Sequence, residues 1–169
     1  MQSGLSAPRS RVGGVPRPLL LIDGNSLTYR AFFALPPDLV TASGQVTNAV
    51  TGFCAMLATL LREHDPDGVA VAFDLPGATF RHERLPSYKA NREKQPDILY
   101  QQLALVRELV EALGLRVVEA EGFEADDVLA TLATTTRDAG RDAIIVTGDR
   151  DSYQPVSYTH LTLPTICSV

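Results

Sequence analysis

Cysteine is scarce in this chain: Cys54 and Cys167 are the only two in 169 residues, far apart and without zinc-site spacing. Cys54 lies in an apolar helical run, where a thiol behaves as a small buried residue. This usage fits a reducing, cytoplasmic compartment. Long hydrophobic runs are missing as well. None approaches the ~20 residues a membrane-spanning helix needs, so no membrane partner is expected. Ahead of Leu19 there are arginines but no apolar stretch, which excludes a secretory signal peptide. Its Ser, Gly, Pro and Arg make residues 1–17 read as a disordered leader. No G-x-G-x-x-G follows the first strand, which disfavours a nucleotide-cofactor fold.

What is present is ordinary in bulk. The chain is long enough for one domain with a real core, is 45% hydrophobic and 21% charged, and carries a net charge of −5. That sign decides nothing about nucleic acid, since an acidic protein can carry a local basic stripe. Leu19–Ile22, Val69–Phe73, Arg116–Val118 and Ala143–Thr147 read as short buried strands. Between them the apolar spacing predicts helices over Leu27–Ala34, 48–63, 96–113 and 124–139, with Asn25 or Ser26 as the first N-cap and Gly114 and Gly140 as C-terminal caps. Thr41–Gln45 reads as loop, and 76–95 shows no clear period. Strands alternating with helices, without a hairpin signal, predict an α/β fold with a parallel sheet covered on both faces.

The acids sit at informative places. Asp23, Asp74 and Asp149 each follow the last apolar residues of a strand; Glu124, Asp126 and Asp127 follow the remaining strand, and Asp151 comes two residues after Asp149. In a parallel sheet the carboxyl ends share one edge, where α/β proteins place their sites. One aspartate after a strand is commonly a turn former or helix cap. Seven carboxylates on one rim repel one another unless a cation intervenes. Hard oxygen donors with no His or Cys nearby select Mg²⁺ or Mn²⁺. Seven are enough for two ions, one activating water and the other stabilising the departing oxyanion of a phosphodiester.

The segment after Asp74 is basic, with Arg81, Arg84, Lys89, Arg92 and Lys94 within fourteen residues. A solvated charged loop is the plain reading. Its place above an acidic rim instead fits phosphate approach, with Tyr88 offering a ring for base stacking. His82 reads as a surface contact, because metal-activated water needs no imidazole.

These motifs together resemble a known family. Leu21-Ile22-Asp23-Gly24-Asn25-Ser26, Phe73-Asp74, Thr79-Phe80-Arg81, Tyr88-Lys89-Ala90-Asn91-Arg92, Gly122-Phe123-Glu124-Ala125-Asp126-Asp127 and Thr147-Gly148-Asp149-Arg150-Asp151 are similar, in order and spacing, to the 5′-nuclease domains of bacterial DNA polymerases I. Those domains belong to the flap-endonuclease superfamily. The resemblance covers about residues 18–154. It implies a three-layer α-β-α, PIN-like fold, and a monomer that removes 5′ flaps and RNA primers, or acts at nicks, during replication and repair. It further implies a first ion held by Asp23, Asp74 and Glu124, with Asp126 shared or bridged by water, and a second held by Asp149 and Asp151. Asp127 matches the motif as a ligand or as a neighbour of the ligands. Lys89 and Arg92 match residues that contact the scissile phosphate; Arg30, Arg81, Arg84, Tyr88 and Lys94 complete the expected DNA contacts.

The resemblance stops at Gln154. Family members continue with a further strand, a Gly-Asp-x-x-Asp-Asn-type motif and a helix-hairpin-helix that grips duplex DNA. Residues 155–169 instead resemble a translated library-adaptor sequence, and are expected to be a non-native tail outside the fold. On that expectation the second ion site is incomplete and cleavage weak or lacking. A free-standing 5′-nuclease without a polymerase, and a PIN-like module that binds single strands without cutting, remain open.

Overall fold

The computed structural model describes residues 16–85, 87–89, 94–148 and 159–162, the last stretch by its backbone alone. The expected sites Arg92, Asp149 and Asp151, and residues 1–15 of the expected leader, lie outside the described residues.

The apolar runs form strands β1 (Leu19–Asp23), β2 (Gly68–Ala72), β3 (Arg116–Val118) and β4 (Ala143–Thr147). A fifth strand, β5 (Thr159–Thr162), lies in the stretch that the sequence placed outside the fold; its backbone pairs with β4. Among the described residues the strands of this sheet pair in parallel, in the order β3-β2-β1-β4-β5. β1 is central, with Asp23 opposite Ala72 and Ile22 opposite Val146. Strands buried on both faces need apolar residues at consecutive positions, and β1 and β4 have them.

The alternation along β1 separates two cores. Leu20 and Ile22 pack with Val71, Ile144 and Val146 against helices α1 (Gly24–Ala34), α2 (Asn48–His64) and α4 (Asp97–Ala112), through Leu27, Phe53, Leu60, Val106 and Val110. Leu21, Ala72 and Ile145 face the other way, onto Leu129 and Ala133 of α5 (Ala125–Asp138). Helices on both faces of a parallel sheet give the expected three-layer fold. A short helix, α3 (Phe80–Arg84), falls where the sequence showed no period. Five residues are too few to generate a periodic signal.

One start signal was misplaced. Helix α1 begins at Gly24 rather than Leu27, and its N-cap is Asp23, whose Oδ1 accepts the Ser26 N–H at 2.9 Å, not Asn25 or Ser26. The helix therefore opens directly from the end of β1. Gly24 makes this possible: a Cβ there would stand 2.5 Å from the ring of Phe73, which is itself buried. The close approach of β1 and β2 at their carboxyl ends thus needs a residue without a side chain. Gly24→Ala should cost about 2 kcal/mol through overpacking. Urea unfolding checks this, and an unchanged midpoint would contradict the packing described.

Candidate active site

The rim is assembled from three chain segments. Asp23 ends β1 and is 6% exposed. Its Oδ1 caps α1 and its Oδ2 accepts the hydroxyl of Thr147, the last residue of β4, at 3.1 Å. Asp74 lies two residues beyond β2. Its Oδ1 accepts the N–H of Ala125, first residue of α5, at 2.7 Å, and its Oδ2 accepts Asn25 Nδ2 at 3.0 Å. Asp74 therefore caps a helix that another segment provides. Asn25, expected as a cap, instead reaches across to hold Asp74, and its Oδ1 accepts the Asp74 N–H at 3.3 Å.

These bonds draw like charges together. Burial, the largest cause, and the neighbouring carboxylates of Asp126 and Asp74 push the Asp23 carboxyl up to about 7, against the opposing effect of the Ser26 and Thr147 hydrogen bonds. Among the described residues, none of these groups is a cation. A buried carboxylate crowded by two others, with Ser26 and Thr147 as its hydrogen-bond donors among the described residues, is the environment that a hard divalent cation relieves.

Glu124 and Asp127 are engaged differently. Glu124 Oε1 receives Lys89 Nζ at 2.7 Å, its Oε2 receives the Tyr88 hydroxyl at 3.2 Å, and Arg81 Nη1 stands 3.7 Å away. Asp127 accepts both Arg81 guanidinium nitrogens, at 2.5 and 2.7 Å, and the Glu124 N–H at 3.1 Å. The Arg81 guanidinium is the main reason that the Asp127 carboxyl sits below its ordinary range, and the same bond raises the arginine. The expected acids thus divide into two groups. Asp126 and Asp74 crowd Asp23, while Glu124 and Asp127 hold Lys89 and Arg81 of the basic segment. Among the described residues, no three acidic, histidine or cysteine side chains stand close enough to cage an ion as they lie.

The basic residues are likewise placed unequally. Lys89 and Tyr88 lie over the first turn of α5, and Lys89 holds a left-handed backbone (φ 56°) that costs roughly 1–2 kcal/mol. Arg81 and Arg84 stand over the Phe80 ring, 4.6 and 5.7 Å from its centroid. Lys94 pairs with Asp97 at 2.9 Å on the surface. Arg30 is half-buried on α1. Three residues that the sequence did not place in the site also shape it. Thr147 and Asn25 hold the two aspartates, and Ser26 Oγ accepts the Gly148 N–H at 2.8 Å, fixing the exit of β4. Only the turn chemistry of Asn25-Ser26 hinted at this.

Comparison with known proteins gives the family of the chain. A sequence model described as "5'-3' exonuclease, N-terminal resolvase-like domain" matches residues 18–166, past the boundary expected at 154. The chain belongs to that 5′-3′ exonuclease family. DNA polymerase I of Mycobacterium tuberculosis is 51% identical over 140 residues, covering 82% of this chain and 16% of the relative. DNA polymerase I of Thermus thermophilus, a thermostable enzyme, is 47% identical over 153 residues, covering 90% of this chain and 17% of the relative. The chain thus spans about a sixth of the length of these relatives. Among solved structures, the T5 D15 protein co-crystallised with metal ions superposes with a TM-score of 0.64 at 20% identity, covering 80% of this chain and 51% of the other. It shares the fold. No helix among the described residues is long and apolar enough to cross a membrane.

The Asp23 environment sets a pH dependence. Between its ordinary 3.8 and about 7 the folded chain keeps a proton that the unfolded chain releases, so this group's contribution to stability falls as pH rises through that window. The full cost, on the order of 4 kcal/mol, is present above pH 7. Asp23→Asn keeps an oxygen for Ser26 and an amide for Thr147 while removing the charge. In EDTA at pH 8 it should melt above the unmutated chain, and the gap should vanish by about pH 4. Equal melting temperatures at pH 8 would contradict the crowding.

Proposed function

We propose that this chain carries the catalytic floor of a divalent-metal-dependent 5′-3′ exonuclease or flap endonuclease, which hydrolyses phosphodiester bonds of DNA, and of RNA primers, in replication and repair. The observation that supports this most strongly is the buried Asp23 carboxylate, crowded by Asp126 and Asp74 among the described residues. Mg²⁺ or Mn²⁺ suits such oxygen donors. Asp23, Asp74 and Asp126 would hold the first ion, with Glu124 joining them once freed from Lys89, and Asp149 and Asp151 would hold the second. When bound, the ions supply the water activation and oxyanion stabilisation of phosphodiester hydrolysis.

The remaining residues bind and orient. Lys89, at the inner end of the basic segment, and Arg92 are assigned to the scissile phosphate. Tyr88 would stack on a base, and Arg30, Arg81, Arg84 and Lys94 would neutralise phosphates along the strand. Thr147 and Asn25 keep Asp23 and Asp74 facing the ions through the bonds described above. The substrates are 5′ flaps, nicks and RNA primers annealed to DNA. T5 D15, which shares the fold, has been described as a flap endonuclease crystallised with DNA and metal ions. That accords with the same substrate class.

Metal binding tests the proposal without depending on turnover. Mn²⁺ at a hundredfold excess over its Kd should raise the melting temperature at pH 8 by roughly 5 °C. Asp74→Asn and Asp126→Asn should each remove most of that shift while leaving affinity for a 5′-flap oligonucleotide in EDTA within about threefold. No shift in the unmutated chain, with oligonucleotide binding intact, would replace the nuclease reading with that of a binding module.

A further inference from the structure

The basic segment is held in place by a residue that its chemistry left without a role. Helix α3 is too short to persist by itself, and its N-terminus is closed by an unusual capping box, Thr79-Phe80-Arg81-His82, with a histidine in the position usually held by Glu or Gln. His82 Nδ1 accepts the Thr79 N–H at 3.1 Å and lies 3.0 Å from the Thr79 hydroxyl. Thr79 is buried. Accepting a backbone N–H requires a lone pair on Nδ1, so the ring must be neutral with its proton on Nε2. On its other side the same ring meets Tyr88 edge-on, with centroids 5.4 Å apart and planes at 83°. Tyr88 and the adjacent Lys89 both end on Glu124.

We infer that His82, in its neutral Nε2–H form, is a positioning residue that sets Tyr88 and Lys89 over the acidic rim, and so governs how the segment receives a DNA phosphate. It acts on the near side of the left-handed turn at Lys89, while Arg81 secures the same helix to Asp127. Among the described residues the partners of the His82 ring are Thr79 and Tyr88. Its effect on DNA passes through Lys89. The inference rests on the reading of Lys89 as a phosphate contact given under Proposed function.

A double-mutant cycle and a spectroscopic signature test it together. Affinity for a 5′-flap oligonucleotide is measured by fluorescence anisotropy in EDTA for the unmutated chain, His82→Ala, Lys89→Ala and the double variant. His82→Ala should weaken binding about fivefold, Lys89→Ala about tenfold, and the double variant no more than twofold beyond Lys89→Ala. Losses that multiply would overturn the inference, because His82 would then act independently of Lys89. The imidazole ¹⁵N shifts of the unmutated chain, with the His82 ring assigned through its bonds to the His82 backbone, should show Nδ1 unprotonated and Nε2 protonated. An Nδ1–H tautomer would overturn the inference even if His82→Ala failed to fold. A chain that binds no oligonucleotide would remove the DNA reading of the previous subsection. The tautomer would still decide the geometry, with Nε2–H supporting it and Nδ1–H overturning it.

Discussion

The crowding of the buried Asp23 carboxylate by Asp126 and Asp74 is the constraint around which the rest of the site is arranged. Carboxylates do not gather by themselves, and here Asp23 and Asp74 are each held by bonds that also build the fold. Asp23 caps α1 and closes onto β4 through Thr147, and Asp74 caps α5 from a different strand. Both therefore sit at helix N-termini, where the backbone partial charge favours an anion. Capping and ion binding are often weighed as rival explanations for an aspartate after a strand. In this fold the cap aims the carboxylate, and the crowding that remains calls for a cation.

The same logic explains why the basic segment lies where it does. Glu124 and Asp127 are three residues apart at the start of α5, and they hold Lys89 and Arg81 respectively. Both pairs are partly shielded from water, so they count for more than surface ion pairs. One short acidic stretch thus contributes Asp126 to the rim and uses its other two acids to place cations beside it.

Much of this was legible in the sequence because it depends on period and position. Continuous apolar runs at Leu19–Ile22 and Ala143–Val146 announce strands buried on both faces, and an acid at the end of each announces the shared edge. What was not legible depends on contacts across the chain. Asn25 carries the ordinary signature of a cap, yet Asp23 takes that role because the helix opens one residue after the strand, where Gly24 lets Phe73 close in. Helix α3 leaves no period in five residues and is defined by partners such as Asp127, 46 positions away from Arg81. The division of the acids into a crowded group and an anchoring group is likewise a matter of which cation each one meets, and spacing carries no record of that.

The account rests on the crowded carboxylates receiving a divalent ion. A crystal soaked in Mn²⁺ and measured at an anomalous-scattering wavelength tests this most directly. The account predicts an anomalous peak about 2.2 Å from carboxylate oxygens of Asp23, Asp74 and Asp126. A peak elsewhere on the surface, or none at this rim with the three side chains well ordered, would contradict it.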